Sequence, residues 1–228
     1  MKRFTILLIL VCMLFALAGC SGATFVRNPA PVHAGTRVGI LIPSYQLSAR
    51  GAFDLKPFAP AIQARASELM VKDLETQFQA RGFTAKLLVP STQVTAAVER
   101  YKALPRNFRK VISKPEAAHL GDLKSVFKRN DVDRIILLEG ESIVPSSALR
   151  TFAVSTASLA ASLAMHSVIP FSGAKPTTVT YVSEVNPDGT LSYYNREQFT
   201  RAGNFLDSSE RAKIAQHAVD GWLDATPK

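Results

Sequence analysis

Few side chains in this sequence are placed to do chemistry. Glu139 and Glu141 stand two residues apart at the end of an apolar run. In extended chain they share a face, and two carboxylates so close raise one another's pKa. A proton-transfer pair needs that arrangement, and two solvated acids show it equally well. Ser44, Tyr45 and Gln46 follow a second apolar run, and Ser91 and Thr92 follow a third. If the three runs are parallel strands, all seven residues lie at the carboxyl edge of one sheet, where open α/β sheets bind their ligands. They form the expected contact surface, although the same residue types also serve as caps and turns.

Nothing else completes a catalytic set. His33, His119, His166 and His217 occur singly, without the spacing of a metal site. No Gly-rich phosphate loop follows a strand, and no Gly-x-Ser-x-Gly elbow is present. The expectation is a protein without enzymatic activity, with no cofactor and no metal. Charge offers another kind of site. Arg100, Lys102, Arg106, Arg109, Lys110 and Lys114 follow one another with no acid between Arg100 and Lys114. Such a basic patch suits phospholipid headgroups, lipopolysaccharide phosphates, acidic glycans or an acidic protein face, or it is a solvated face and nothing more.

The elements that must carry these residues follow from patterning. Arg37-Val-Gly-Ile-Leu-Ile-Pro43 is a short apolar run closed by proline, the pattern of a strand covered on both faces. Residues 44–60 read as a loop. Ile62, Ala66, Met70, Leu74 and Phe78 recur every four residues with Arg65, Glu68, Lys72 and Glu75 off that line, which predicts an amphipathic helix ended by Gly82. Phe83–Val89 is a second strand. Ser91 or Thr92 caps a helix to about Leu104, and Pro115 opens another that ends near Arg129. Asp133–Glu139 is the third strand. This alternation predicts parallel pairing through crossovers. Residues 176–185, the turn Asn186-Pro-Asp-Gly189 and residues 190–194 make a hairpin. Asp207 and Glu210 resemble a capping box before a helix burying Ala212, Ala215, Val219, Trp222 and Leu223.

The amino terminus gives an address. Lys2 and Arg3 precede an uncharged run from Phe4 to Ala18 that is too short for a permanent span of roughly 20 residues and has the layout of a secretory signal. Leu17-Ala18-Gly19-Cys20 resembles the lipobox of bacterial lipoproteins. The resemblance implies that residues 1–19 are removed and that Cys20 carries lipid, an anchor worth about 0.8 kcal/mol per buried methylene. Ser21, by resemblance to lipoprotein sorting, points to the outer membrane at its periplasmic face. There nucleic acid is not the expected partner, whereas the membrane and an envelope protein complex or a second copy are. Loss of Lys2 and Arg3 lowers the formal charge from +9 to +7. With Cys12 in the signal and Cys20 lipidated, no intramolecular disulfide is available. Residues 20–36 read as the lipidated terminus and a tether reaching at most roughly 50 Å, and residues 37–228 as one domain.

Residues 151–174 carry no charged side chain. Ser155, Thr156, Ser158, Ser162, His166 and Ser167 interrupt the run, and its many alanines supply little transfer energy, so it does not read as a membrane span. Ala153, Ala157 and Ala161 fall on one helical face, suited to close packing in a core, in an oligomer interface or against lipid.

The lipobox, the first strand, the helix closed by Gly82, Glu139-Gly-Glu141, the small-residue segment, the Asp188-Gly189 hairpin and the C-terminal helix together resemble envelope lipoproteins related to CsgG, PelC and the TolB amino-terminal domain. The resemblance implies a mixed sheet with helices packed on it and no enzymatic activity. It implies a role as a secretion channel, a ring beneath an export pore, or an activator or scaffold of cell-wall machinery. No amphipathic stretch reaches the roughly 9 to 11 residues of a membrane strand, which speaks against a pore. The expectation is a single α/β domain, with three parallel strands and a C-terminal hairpin in one mixed sheet. It is expected to act as an accessory or structural subunit of a secretion, export or envelope-assembly complex, or else as a monomeric binding module for a cell-wall polymer or a regulator of a cell-wall enzyme.

Overall fold

The computed structural model describes residues 24–26, 31–50, 59–104, 119–145, 177–200 and 207–226. Cys20, Arg106, Arg109, Lys110, Lys114, His166, Ala153, Ala157 and Ala161 lie outside them. The elements are β1 (Thr24–Val26), β2 (Arg37–Arg50), α1 (Ala59–Gln79), β3 (Thr84–Leu87), α2 (Thr92–Ala103), α3 (Lys124–Asn130), β4 (Arg134–Pro145), β5 (Thr177–Val185), β6 (Leu191–Thr200) and α4 (Ser208–Ala225). The six strands form one sheet in the order β1-β6-β5-β4-β2-β3. β3, β2 and β4 are parallel, and β5, β6 and β1 are antiparallel to their neighbours. The expected α/β class, with three parallel strands and a C-terminal hairpin in a mixed sheet, is what the chain forms.

Helices cover both faces. Along β4 the side chains alternate, so Ile136 and Leu138 join one core while Ile135 and Leu137 join the other. On the first face α1 brings Ala66, Met70, Leu74 and Phe78, and α4 brings Ile214, Ala215, Val219 and Trp222. Each fully buried large aliphatic or aromatic side chain there contributes about 1.5–3 kcal/mol. Phe78, Phe83 and Trp222 meet edge to face, with Phe78 and Trp222 centroids 5.6 Å apart. On the second face α2 and α3 bury Val94, Ala97, Tyr101, Val126 and Phe127. α1 ends as its pattern predicts, with Gly82 at φ 81° and the Phe83 N–H bonded back to the Phe78 carbonyl. Asp207 caps α4, accepting from the N–H groups of Ser209 and Glu210.

The second hairpin strand, expected to end at Tyr194, runs on to Thr200, and three other boundaries differ from the sequence reading. Pro43 does not end the first strand. Register passes from Leu41 opposite Leu137 to Ser44 opposite Glu139, so β2 holds one extra residue at Ile42-Pro43, and this bulge accommodates a residue without an N–H. The strand then runs on to Arg50 through what reads as loop, and β4 runs on beside it to Pro145. Second, of the helix expected from Pro115 to near Arg129, residues 115–118 lie outside the described residues, 119–123 are not helical, and the helix is formed over Lys124–Asn130. The N–H groups of Leu120 and Leu123 go instead to the Gly189 and Pro187 carbonyls of the β5–β6 turn, each at 2.8 Å. Third, residues 24–26 are not tether but the edge strand of the sheet, with Thr24 opposite Asn195 and Val26 opposite Tyr193. Among the described residues no helix is long and apolar enough to cross a membrane.

A polar strip on one face of the sheet

Extension of β2 and β4 moves the expected contact residues from a sheet edge to mid-strand. Glu139 and Glu141 do share a face, the one on which Ile135 and Leu137 lie. Two cross-strand rows run through them. Ser44, Glu139, Tyr181 and Arg196 are successive register partners across β2, β4, β5 and β6, and Gln46, Glu141, Val179 and Gln198 form the next row. Gln46 and Gln198 are exposed, and Glu139, Glu141, Tyr181 and Arg196 are half-buried.

The bulge decides which of the expected residues reach this strip. One extra residue inverts the side of every side chain after it, so Gln46 faces the strip while Tyr45 goes to the opposite core. Tyr45 is therefore no part of a contact surface. It is 1% exposed, with its hydroxyl 3.3 Å from that of Ser142, which in turn lies 2.6 Å from that of Thr178. Burial pushes the Tyr45 phenol well above its ordinary range. Ser91 and Thr92 also stay outside the strip. The Ser91 hydroxyl accepts from the Val94 N–H as the cap of α2, and Thr92 opens that helix on the exposed side.

Aromatic residues that the sequence reading did not select border the strip. Tyr101, from α2, lies beneath its inner end with its hydroxyl 3.0 Å from that of Ser183. Burial raises its phenol pKa, and the neighbouring Glu139 carboxylate raises it further. Tyr194 is raised in the same way, by burial and then by Tyr101 and Tyr181. The rings of Tyr181 and Tyr194 are 6.4 Å apart, and the Arg196 guanidinium lies 6.0 Å from the centroid of Tyr181, at the outer limit of a cation–π contact. Tyr181 and Tyr194 fall within the hairpin that the sequence predicts, whereas Arg196 and Gln198 lie beyond its expected end at Tyr194, and which side they all face depends on register. The strip combines carboxylate acceptors, amides that donate and accept, a guanidinium donor and an aromatic ring in two adjacent cross-strand rows.

The remaining candidates separate. Of the basic patch, Arg100 donates to the Leu120 carbonyl at 2.9 Å and Lys102 pairs with Glu99 at 3.0 Å. His119 accepts from the Gly121 N–H, and His217 lies 3.1 Å from Glu197. Among the described residues no group of three or more His, Cys, Asp or Glu side chains is placed to hold a metal ion. On the first face a different acid is buried. Glu184 accepts from the Trp222 indole N–H at 3.1 Å and lies 3.5 Å from Arg134, and its burial raises its pKa.

Compared with known proteins, the chain matches no family model and no curated protein sequence.

Proposed function

We propose that this chain is an outer-membrane lipoprotein of the periplasmic face, anchored through Cys20, and that it works as a non-enzymatic structural or accessory subunit of a secretion, export or envelope-assembly complex. The observation that carries the reading is the junction of the lipobox with the fold. Thr24 already belongs to the sheet, so an acylated Cys20 is separated from folded structure by Ser21, Gly22 and Ala23 alone. A lipid-anchored protein without a long tether is held at its membrane and acts on partners that come there. A mixed sheet with helices packed on it is also what the resemblance to CsgG, PelC and the TolB amino-terminal domain implies.

Two measurements test it. Intact-mass analysis of the purified protein reads the acyl chains on Cys20, and an unmodified Cys20 overturns the anchored reading. Light scattering on the lipidated protein in mild detergent reads assembly, beside a variant carrying Ala157→Leu and Ala161→Leu. A discrete multimer that the folded variant loses supports the subunit role, and a monomer in both cases overturns it.

The polar strip favours a second reading, a monomeric binding module for a cell-wall polymer. Gln46, Glu141, Arg196 and Gln198 offer the hydrogen bonds, and Tyr181 the ring, that a hydroxyl-rich chain uses. Under this reading Arg196→Ala with Tyr181→Ala abolishes retention on purified peptidoglycan while the fold persists.

A further inference from the structure

Among the described residues β3 is the last strand of the sheet on the side opposite β1, and its free edge carries a defined set of hydrogen-bonding groups. The Thr84 N–H donates to the Thr36 carbonyl at 3.1 Å and the Leu88 N–H to the Ile40 carbonyl at 2.9 Å. Along a strand these groups alternate in direction from one residue to the next. Thr84, Lys86 and Leu88 therefore turn theirs toward β2, and Ala85 and Leu87 turn theirs away from it. Among the described residues nothing bonds the outward N–H groups of Ala85 and Leu87. The outward series stops at Val89, whose N–H donates to the Asn130 side-chain carbonyl at 3.3 Å.

Side chains divide the same edge into an apolar and a charged side. Ala85 joins the first core and Leu88 the second, so alternation puts Leu87 on the face of Ala85 and Lys86 on the face of Leu88. Leu87 is 50% exposed and Val89, just past the strand, 65%; among the described residues these two are the exposed large apolar side chains. Lys86 is exposed as well. Single apolar residues are ordinary on a surface, but beside an open ladder they supply the side-chain half of a strand-binding edge.

Lys86 decides which strand can add. For a second copy pairing through its own β3 about a twofold axis, the register that uses the outward groups of both Ala85 and Leu87 sets Lys86 directly opposite Lys86. Like charges so placed repel. β1, the opposite border of the sheet, reads Thr-Phe-Val and carries no acid to meet a lysine. An acid opposite Lys86 with an apolar residue on each side of it matches the edge on both faces at once.

We infer that the free edge of β3 is a docking site for an extended strand of a partner protein, in which an acidic residue opposite Lys86 stands between apolar residues that pack on Leu87 and Val89. The main-chain groups of Ala85 and Leu87 supply the attachment, and Lys86 supplies the selection. The inference goes beyond the subunit reading, because it names a contact and its chemistry, and neither Cys20 nor the polar strip takes part in it.

The test uses the full-length protein in mild detergent and a pair of fluorescein-labelled peptides, Thr-Ile-Glu-Val-Thr and its counterpart with lysine in place of glutamate. Fluorescence anisotropy is expected to show the acidic peptide binding about three- to tenfold more tightly than the basic one. A generally basic chain favours the acidic peptide too, so the deciding variant is Lys86→Glu, which should invert the order. Lys86 is exposed, and the fold does not depend on it. Leu87→Pro removes an N–H that points away from β2, a place where an edge strand accepts proline, and should abolish binding of both peptides. With the parent protein, amide exchange read by mass spectrometry should slow in the fragment that holds Ala85 and Leu87 when the acidic peptide is added. Failure of the acidic peptide to bind, equal affinity for the two peptides, or an order that Lys86→Glu leaves unchanged overturns the inference. Binding without slowed exchange at β3 overturns it as well. Acyl mass on Cys20 and the light-scattering mass are separate readouts, so failure here leaves the anchored subunit reading to its own test.

Discussion

The ring of Tyr45 occupies the space that a side chain on Gly140 would need. A Cβ built on Gly140 would lie 2.1 Å from the nearest ring carbon, and the two residues are direct register partners on β2 and β4. A glycine inside a strand here marks the close approach of a neighbour's ring, and the bulge at Pro43 is what turns that ring onto it.

Gly140→Ala should therefore destabilise the protein by about 1–3 kcal/mol, the usual cost of overfilling a packed core. Gly39→Ala is the control. Its Cβ would meet Leu88 Cδ2 at 2.5 Å, the far end of a flexible side chain, and should cost less. Denaturant midpoints measure both, and an equal or reversed order would show that the Tyr45 ring yields as easily as Leu88.

Tyr45→Phe removes one end of the buried hydroxyl chain but leaves Ser142 and Thr178 bonded to each other at 2.6 Å. The expected loss is about 0.5–1.5 kcal/mol. Ser142→Ala removes the hydroxyl that contacts both Tyr45 and Thr178 and should cost more, because two buried contacts are lost. A double-mutant cycle between Tyr45→Phe and Ser142→Ala reads the coupling directly.

Acid should weaken the join between β2 and β4. Asp133 accepts from the Arg37 backbone N–H at 2.9 Å and from its guanidinium at 3.1 and 2.7 Å, and these bonds lower its carboxyl from an ordinary 3.8 to about 2. A depressed carboxyl contributes stability above its unfolded pKa and loses it as pH falls toward the folded value. Asp133→Asn should thus be less stable than the parent at neutral pH, and the difference should shrink between about pH 4 and pH 2. A difference that stays constant across that window would show that the ionised form is not what matters.

Glu184 should act in the opposite sense. Burial raises its pKa above the ordinary 4.5, against the Trp222 hydrogen bond and the Arg134 charge that lower it. The folded state then holds the proton more tightly than the unfolded one, so stability falls as pH rises from the ordinary value through the raised one. Glu184→Gln keeps an acceptor for the Trp222 N–H and should flatten that fall in a pH series of unfolding midpoints. Parallel curves for parent and variant would show that the group does not titrate differently in the two states.

Local chemistry made the helices and the hairpin legible. Ala66, Met70, Leu74 and Phe78 are all buried at their four-residue spacing, and the Asn186 N–H bonds across the turn to the Thr190 carbonyl. The strand ends were not legible, because Pro43 reads as a stop while a bulge lets the strand continue past it. The same bulge separated Tyr45 from its neighbour Gln46. The pairing of Thr24–Val26 with β6 joins residues far apart in sequence, and three residues carry too little pattern to announce it. Glu139 and Glu141 could be placed on a common face from spacing alone, whereas Tyr181 and Arg196 joined them only through register.

Pro43 also bears on what the sheet does not do. β3 pairs with β2 only as far as Ile40 opposite Leu87, and among the described residues no strand accompanies β2 beyond that point on the same side. A long open strand is a template on which another chain can add itself and grow into an aggregate. A proline offers no N–H to an incoming strand, and a bulge bends and twists the backbone out of the flat path that such addition needs. The bulge that lets β2 continue past Pro43 therefore also makes this stretch a poor template for an added strand, and replacing the proline with a strand-forming residue such as valine would weaken that protection.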